Sequence, residues 1–267
     1  MVITRDPDVR IAHSRDVSGL EMIPEGVARA KSEQDVSEVV RECAGTETPV
    51  TAAGSQTSMT GASITDRGVL LSMRAMDRVL DVDSARRIAR VEPGITIGDL
   101  NRVLAEQGLL FAPDPTSEND ATIGGAIACN ASGARSLFYG ATRAHVSGVR
   151  VVHADGSSVW YQRFRPEKNA VGYAAAQDPV DWFVGSEGTL GIVVEAELSL
   201  VDLPSTTIGL AIPFPSLERA LAFVMAARSS GVRSARCLEL FDEGALRLSA
   251  KHARTPWTDD ARAMIYL

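Results

Sequence analysis

Apolar and polar residues alternate along this chain with two periods, and the switches between them outline its elements. Over residues 32–43, Val36, Val39, Val40 and Cys43 recur at three-to-four spacing between Asp35, Glu38 and Glu42, which predicts an amphipathic helix opened by Ser32 or Ser37. A second helix is expected over 96–107, with Thr96 as N-cap and Ile97, Leu100, Val103 and Leu104 as its apolar stripe; Gly108 stops it. A third spans 216–229, with Leu217, Ala220, Leu221, Val224 and Met225 in line, and a short fourth covers 242–250. Between them lie runs of strand character. An extended piece at 24–30 and a short strand at 48–51 precede a strand at 68–73. Residues 78–83 and 87–92 form a pair, and 146–152 and 157–161 a hairpin around Ala154-Asp155-Gly156. Residues 181–184 lead to a long strand over 191–200, in which Val193, Glu195, Glu197 and Ser199 alternate with Ile192, Val194, Ala196, Leu198 and Leu200. Further strands are expected at 206–214, 232–240 and 261–267. The last leaves an apolar edge with no partner following it, so we expect an N-terminal fragment of a longer protein or an unusually short gene product.

The pattern divides the chain into a polar, irregular arm at 1–23, a main domain at 24–204 and a partial domain at 205–267, with Leu203-Pro204-Ser205 at the boundary. Small residues cluster at the ends of the main domain's elements. One stretch is Ala53-Gly54-Ser55-Gln56-Thr57-Ser58-Met59-Thr60-Gly61. A second is Pro113-Asp114-Pro115-Thr116, followed by Thr122-Ile123-Gly124-Gly125 and Asn130-Ala131-Ser132-Gly133. The third is Gly185-Ser186-Glu187-Gly188-Thr189-Leu190-Gly191-Ile192. Glycine lets a backbone turn sharply and approach a ligand closely, and small hydroxyl residues do not obstruct a diphosphate. One Gly/Ser loop is an ordinary turn; three in order suggest a chain wrapped around a large phosphorylated cofactor.

Composition narrows the chemistry. Twenty-seven basic against 34 acidic residues give a net charge of −7, with no basic block interleaved with aromatics, so a nucleic-acid partner is not expected. Arg86, Arg87 and Arg90 fit a solvated hairpin end. The three cysteines, Cys43, Cys129 and Cys237, are far apart and form no CxxC pair. They fit a reducing cytoplasm, with peripheral attachment to a membrane left open. No pair among His13, His145, His153 and His252 has metal-ligand spacing, so no metal is expected. The first small-residue stretch lacks the Gly-Lys-Ser/Thr of a Walker loop, no GxGxxG follows a strand, and no Ser stands in a GxSxG elbow. His145, Lys168 and Tyr173 are polar groups that could face a cofactor, but no residue is assigned as catalytic.

The ordered motifs resemble a flavoprotein family. They are GxxTSxxG from Gly54 to Gly61, VEPG from Val91 to Gly94, PDP…ATIGG from Pro113 to Gly125, Asn130-Ala131-Ser132-Gly133, Tyr139-Gly140, and GSEGTLGI from Gly185 to Ile192. This combination is similar to the family that includes vanillyl-alcohol oxidase, the flavoprotein of glycolate oxidase, D-lactate dehydrogenase and alkyldihydroxyacetone-phosphate synthase, whose FAD domain is also of the p-cresol methylhydroxylase type. The resemblance implies an α+β fold: a two-subdomain FAD-binding domain, then a partial α+β cap from about residue 205. It implies that Ala53, Gly54, Ser55, Gln56, Thr57, Ser58 and Gly61 serve the pyrophosphate. Asp114, Pro115 and Thr116 would join the cofactor site. Thr122, Ile123, Gly124, Gly125, Asn130, Ala131, Ser132 and Gly133 would lie near the ribityl chain and flavin, and Gly188, Gly191 and Ile192 on the adenosine side; Gly140 and Glu187 would join the cofactor site.

Two positions depart from the family's Arg-Gly-x-Gly-Thr-Ser loop: Ala53 stands for the Arg and Gln56 for the second Gly. No His lies in the loop, so FAD is expected to be non-covalent. The implied activity is oxidation of a 2-hydroxy acid such as glycolate or D-lactate, with an iron–sulfur subunit or domain, or a quinone, as acceptor. The rivals are an aryl-alcohol oxidase or ether-lipid synthase on the same fold, and a truncated or non-catalytic FAD-binding subunit of an oxidoreductase complex. The resemblance places the catalytic groups beyond Leu267, so the 267-residue chain alone is expected to turn over neither acid.

Overall fold

A central all-apolar strand organises the first sheet. Val69, Leu70 and Leu71 of β3 (Val69–Ser72) are buried on both faces, as a strand flanked on both edges and covered on both sides must be. β1 (Gly26–Arg29) and β2 (Val50–Ala53) pair with it in parallel, in the order β1-β3-β2. Strands that run the same way need a long connection, and α2 (Glu33–Gly45) supplies it between the two outer strands, β1 and β2. Ser32 caps α2 by accepting from the Asp35 amide. The computed structural model describes residues 2–164, 168, 178–229, 235–250 and 260–267. Tyr173, His252 and the first part of the strand expected at 232–240 lie outside these residues.

The second sheet has five strands in the order β4-β5-β9-β7-β8: β4 (Val79–Asp83), β5 (Ile88–Val91), β7 (Val146–Val152), β8 (Ser158–Gln162) and β9 (Ile192–Ser199), all antiparallel. A short pair, β6 (Leu109–Leu110) with β10 (Val201–Asp202), stands apart. α3 (Ile97–Ala105), α4 (Ile123–Cys129) and α6 (Pro179–Phe183) contribute Leu100, Leu104, Ile123, Ile127 and Phe183 to one core with Phe111, Val149 and Leu198. α2 contributes Val36, Val39, Val40 and Cys43 to another, shared with Ala28 and Leu71 of the first sheet and Val152, Ile192 and Val194 of the second. Each fully buried aliphatic side chain there contributes about 1.5–3 kcal/mol. Two sheets with helices against them make the mixed α+β FAD-binding fold expected from the motifs.

By contact, 1–131 and 141–203 form one unit, while 132–140 and 204–267 form another. In the second unit, β13 (Ala263–Tyr266) lies between β11 (Ala211–Phe214) and β12 (Glu239–Asp242), antiparallel to both. β13 is therefore the centre of its sheet and not a partnerless edge: both neighbours precede it in the chain. α7 (Leu217–Ser229) packs on this sheet, α8 (Glu243–Ala250) follows β12, and α5 (Ser136–Tyr139) lies in the segment contributed by 132–140.

Three expectations change. The arm at 1–23 is not irregular throughout: α1 (Pro7–Ala12) forms because Asp6 accepts from the Asp8 and Val9 amides and Pro7 stands at the first helical position. The strand expected at 206–214 covers only Ala211–Phe214. Val103 of the second helix is 40% exposed, so Ile97, Leu100 and Leu104 alone make its buried face. At the hairpin end Arg86, Arg87 and Arg90 are exposed, as expected, and two of them make ion pairs there: Arg87 grips Asp202, while Arg90, together with Arg150 of β7, donates to Glu195, with Trp160 under both guanidiniums. Those bonds let Glu195 be buried although the alternation of β9 put it on the polar face.

Candidate cofactor site

Parallel strand β2 ends at Ala53, and the chain turns at Gly54 against the start of α4. A Cβ at Gly54 would overlap the Thr122 hydroxyl, with Thr122 Cβ at 3.3 Å and Cγ2 at 3.4 Å. Only glycine lets these two stretches meet. Thr122 caps α4 by accepting from the Gly125 amide at 3.3 Å. The VEPG turn is stitched to the same helix start. The Ile123 amide donates to Ile95 O at 2.8 Å, the Gly124 amide donates to Pro93 O at 2.7 Å, and a Cβ at Gly124 would lie 2.7 Å from Pro93 Cβ. Behind the turn, Arg78 donates to both oxygens of buried Glu92. Burial works to raise the Glu92 carboxyl, but the Arg78 hydrogen bonds and charge outweigh it and hold the group below the usual carboxylate range.

Within the first stretch the side chains divide their work. Ser55 Oγ is buried and has no hydrogen-bond partner among the described residues. A buried hydroxyl in that state needs an acceptor or donor from elsewhere. Gln56 adopts φ +56°, and its amide donates to His13 O at 2.9 Å and Arg15 O at 3.1 Å. The side chain that replaces the family's second glycine thus holds the N-terminal arm through its amide nitrogen. Ser58 and Thr60 share a hydroxyl bond of 2.9 Å, and Thr60 donates to Glu187 at 3.1 Å. Gly61 has φ +79°. The first stretch therefore meets both the second, at Thr122, and the third, at Glu187.

The C-terminal end of α4 fixes the third stretch. Gly185 and Glu187 amides donate to Ile127 O and Ala128 O, both at 2.9 Å. Asn130 caps α4 in the left-handed region and its Oδ1 accepts from the Arg143 amide at 2.9 Å. The Arg143 guanidinium bonds Asp181 and Val184 O. Asn130 thus uses its side-chain oxygen within the protein, and Arg143, which sequence reasoning missed, clamps the two stretches together. Its signal was weak: a single Arg following Tyr139-Gly140. Arg163 also donates to both oxygens of Asp181, and these bonds, then those of Arg143, hold the Asp181 carboxyl below its ordinary value. Glu187 at φ +51° is, after Gln56 and Asn130, a third non-glycine residue of these stretches in the left-handed region, where backbone strain concentrates at ligand sites. Gly188 has open space around it; a Cβ at Gly191 would overlap Val151. Ile192 begins β9 opposite Val152.

The remaining candidates make other contacts. Asp114, Pro115 and Thr116 occupy a loop after β6 whose contacts run to α3: the Gly98 amide donates to Glu118 O at 2.9 Å, and a Cβ at Gly98 would lie 2.8 Å from Asn119 Oδ1. Ala131 O accepts from the Thr142 amide and hydroxyl. Ser132, Gly133 and Gly140 belong to the second unit, where the Ser136 hydroxyl accepts from Gly133 and Gly140 ends α5 at φ +83°. His145 is buried edge-on against Phe111, and His153 bonds the Tyr161 hydroxyl at 2.9 Å. Among the described residues no His, Cys, Asp and Glu group is placed to hold a metal, and no helix is long and apolar enough to cross a membrane.

A glycine turn that no Cβ can enter, an orphaned buried hydroxyl beside it and three non-glycine residues in the left-handed region on converging stretches fit a phosphorylated cofactor gripped by backbone. The family profile for the FAD binding domain matches residues 24–162. The chain belongs to the FAD binding domain family. Its cofactor is FAD, held non-covalently. The match takes in the first stretch, the VEPG turn and all of α4; the Gly185–Ile192 stretch lies beyond it. A D-lactate dehydrogenase of Anaerostipes hadrus is 35% identical over 202 residues, covering 75% of this chain and 41% of that protein. The glycolate oxidase subunit GlcD of Bacillus subtilis (strain 168) is 31% identical over 260 residues, covering 97% of this chain and 54% of that protein. The chain thus spans about half the length of the curated relatives it matches. Among solved structures, an alkyldihydroxyacetonephosphate synthase superposes with a TM-score of 0.81 at 22% identity, over 99% of this chain and 52% of that one, a likeness of fold.

Proposed function

We propose that the protein is an FAD-linked oxidoreductase that converts a 2-hydroxy acid of the D-lactate or glycolate kind to its 2-oxo acid. The observation that carries the reading is the pair of relatives above, one named for D-lactate and one for glycolate, both 2-hydroxy acids, matched across the FAD-binding motifs. When bound, FAD supplies a two-electron acceptor for the hydrogen on the substrate's α-carbon. The chain's own residues bind and orient. Gly54 and Thr122 leave a backbone turn open to the diphosphate, the Ser55 hydroxyl gains the partner it lacks within the protein, and the Thr60–Glu187 bond holds the first and third stretches at fixed spacing. Arg143 keeps the third stretch docked on α4. The electrons then pass to an iron–sulfur subunit or domain, or a quinone.

The test is anaerobic mixing of the full-length, FAD-loaded protein with D-lactate, glycolate and an aryl alcohol, following the visible flavin absorbance. Rapid, saturable bleaching by a hydroxy acid is the expected result. Bleaching by the aryl alcohol alone would overturn the reading.

A further inference from the structure

The first small-residue stretch is bonded to the N-terminal arm as well as to α4, and all of these residues lie in the first unit. The Gln56 amide nitrogen is the centre of that contact: besides His13 O and Arg15 O it reaches Ser63 O at 3.4 Å. The two hydrogens of one amide thus serve three carbonyls, two from the arm and one from just past Gly61. The Val17 amide adds a bond to Ser58 O at 3.0 Å. Asp16, between these contacts, accepts from the Ser18 amide at 2.9 Å, from the Ser18 hydroxyl, and from the Ser63 hydroxyl at 3.3 Å. The arm closes on itself through the Met22 amide, which donates to Ser14 O at 2.8 Å. Leu20 packs where a Cβ on Gly61 would lie 3.2 Å from its Cδ1.

These bonds are made by a residue in a conformation that glycine would adopt without strain, φ +56°. What keeps Gln56 there is what its side chain holds. Immediately before it stands Ser55, whose buried hydroxyl has no partner among the described residues. When the arm lets go, Gln56 loses the bonds that hold it in the left-handed region; its backbone relaxes and the Ser55 hydroxyl turns with it. We propose that Gln56 is a positioning residue that couples the arm to the cofactor. Residues 13–22 are a strap that fixes the diphosphate loop, and FAD in turn fixes the strap, since a coupling between two sites acts equally in both directions. This rests on the assignment of the loop to FAD, and not on the identity of the substrate.

Two variants and two readouts test the strap. Gln56→Gly keeps the left-handed backbone and removes the amide. Gln56→Asn keeps an amide on a residue that tolerates this conformation, but one carbon too short to reach the arm. Fluorimetric titration is expected to show both binding FAD about tenfold more weakly than wild type. Hydrogen exchange at the Val17 and Met22 amides reads the arm itself. Saturating FAD is expected to slow Val17 exchange in wild type by the same factor, about tenfold, and in either variant, again at saturation, by about twofold or less. A tie that only stabilised the arm would protect Val17 equally with and without FAD. FAD affinity in Gln56→Gly equal to or tighter than wild type, as relief of strain alone predicts, overturns the proposal. So does Val17 exchange in wild type that FAD leaves unchanged. Neither readout depends on which substrate bleaches the flavin, so the strap and the hydroxy-acid reading fail separately.

Discussion

Helices α2 and α7 are each 13 residues long and each carries apolar positions at helical spacing, yet they are packed to very different degrees. Val36 and Val39 of α2 are fully buried, whereas Leu221 and Met225 of α7 are 45% and 65% exposed. The difference lies in what faces them. α2 meets Ala28 and Leu71 of one sheet and Val152, Ile192 and Val194 of the other. α7 meets a single three-stranded sheet through Ala220, Phe223 and Val224, against Phe214, Ala263 and Ile265. Periodicity tells which residues share a face; the number of neighbouring layers decides how wide a face is covered.

The first unit's tight packing also sets the spacing of the cofactor loops, and the largest effect is expected where the loops touch. Gly54→Val should weaken FAD binding at least a hundredfold, about 2.7 kcal/mol, because its side chain must enter space held by Thr122. Cys43→Ala, a change in the core under α2, should leave FAD affinity near wild type. Fluorimetric FAD titration of the folded variants decides. Gly54→Ala combined with Thr122→Ala should recover part of the affinity lost by Gly54→Ala alone, since the overlap is with the Thr122 hydroxyl; no recovery would mean that the backbone turn itself is at fault.

That loop contact shows how much of the site was legible beforehand. The glycine positions and their order were readable, because a missing Cβ is written in the sequence. The partners of those glycines were not: Thr122 is 68 positions from Gly54, and nothing local records that they meet. The same limit explains Gln56, whose amide turns to the arm, and Arg143, which clamps Asn130 to Asp181 and Val184. The fold was legible where one element fills one layer. The stripe of α2 and the alternation of β9 are set by local period, apart from Glu195, which Arg90 and Arg150 permit inside. In α7 the expected stripe of Leu217, Ala220, Leu221, Val224 and Met225 is rotated: the covered residues are Ala220, Phe223 and Val224. Both sets have helical spacing, so period alone could not choose between them.

The next effect sharpens the contrast through charge. Asp181→Asn should destabilise the first unit by about 2–3 kcal/mol at neutral pH, because it strips Arg163 and Arg143 of a shared, partly buried carboxylate. The sign follows from the lowered carboxyl. The folded protein binds this proton less readily than the unfolded chain, so the stabilisation is complete above the ordinary carboxylate range and fades as pH falls through the folded value. Urea unfolding should therefore show wild type losing its lead over the variant on acidification. A lead that is constant from neutral to strongly acid pH would place the stabilisation elsewhere.

The smallest effects test the two helices directly. Val39→Ala in α2 removes two buried carbons between two sheets and should cost about 1.5–2 kcal/mol, the transfer term plus the space left behind. Met225→Ala in α7 removes a longer side chain that is already 65% exposed, so little apolar area returns to water, and alanine is the better helix former. The expected change is within about 0.5 kcal/mol. Hydrogen exchange of the backbone amides reads each helix by itself, so α2 should lose protection in Val39→Ala and α7 should keep its own in Met225→Ala. If the methionine change instead costs as much as the valine change, the outer face of α7 is covered by something other than the described residues. The contrast between the helices would then reflect a missing layer and not a weaker design.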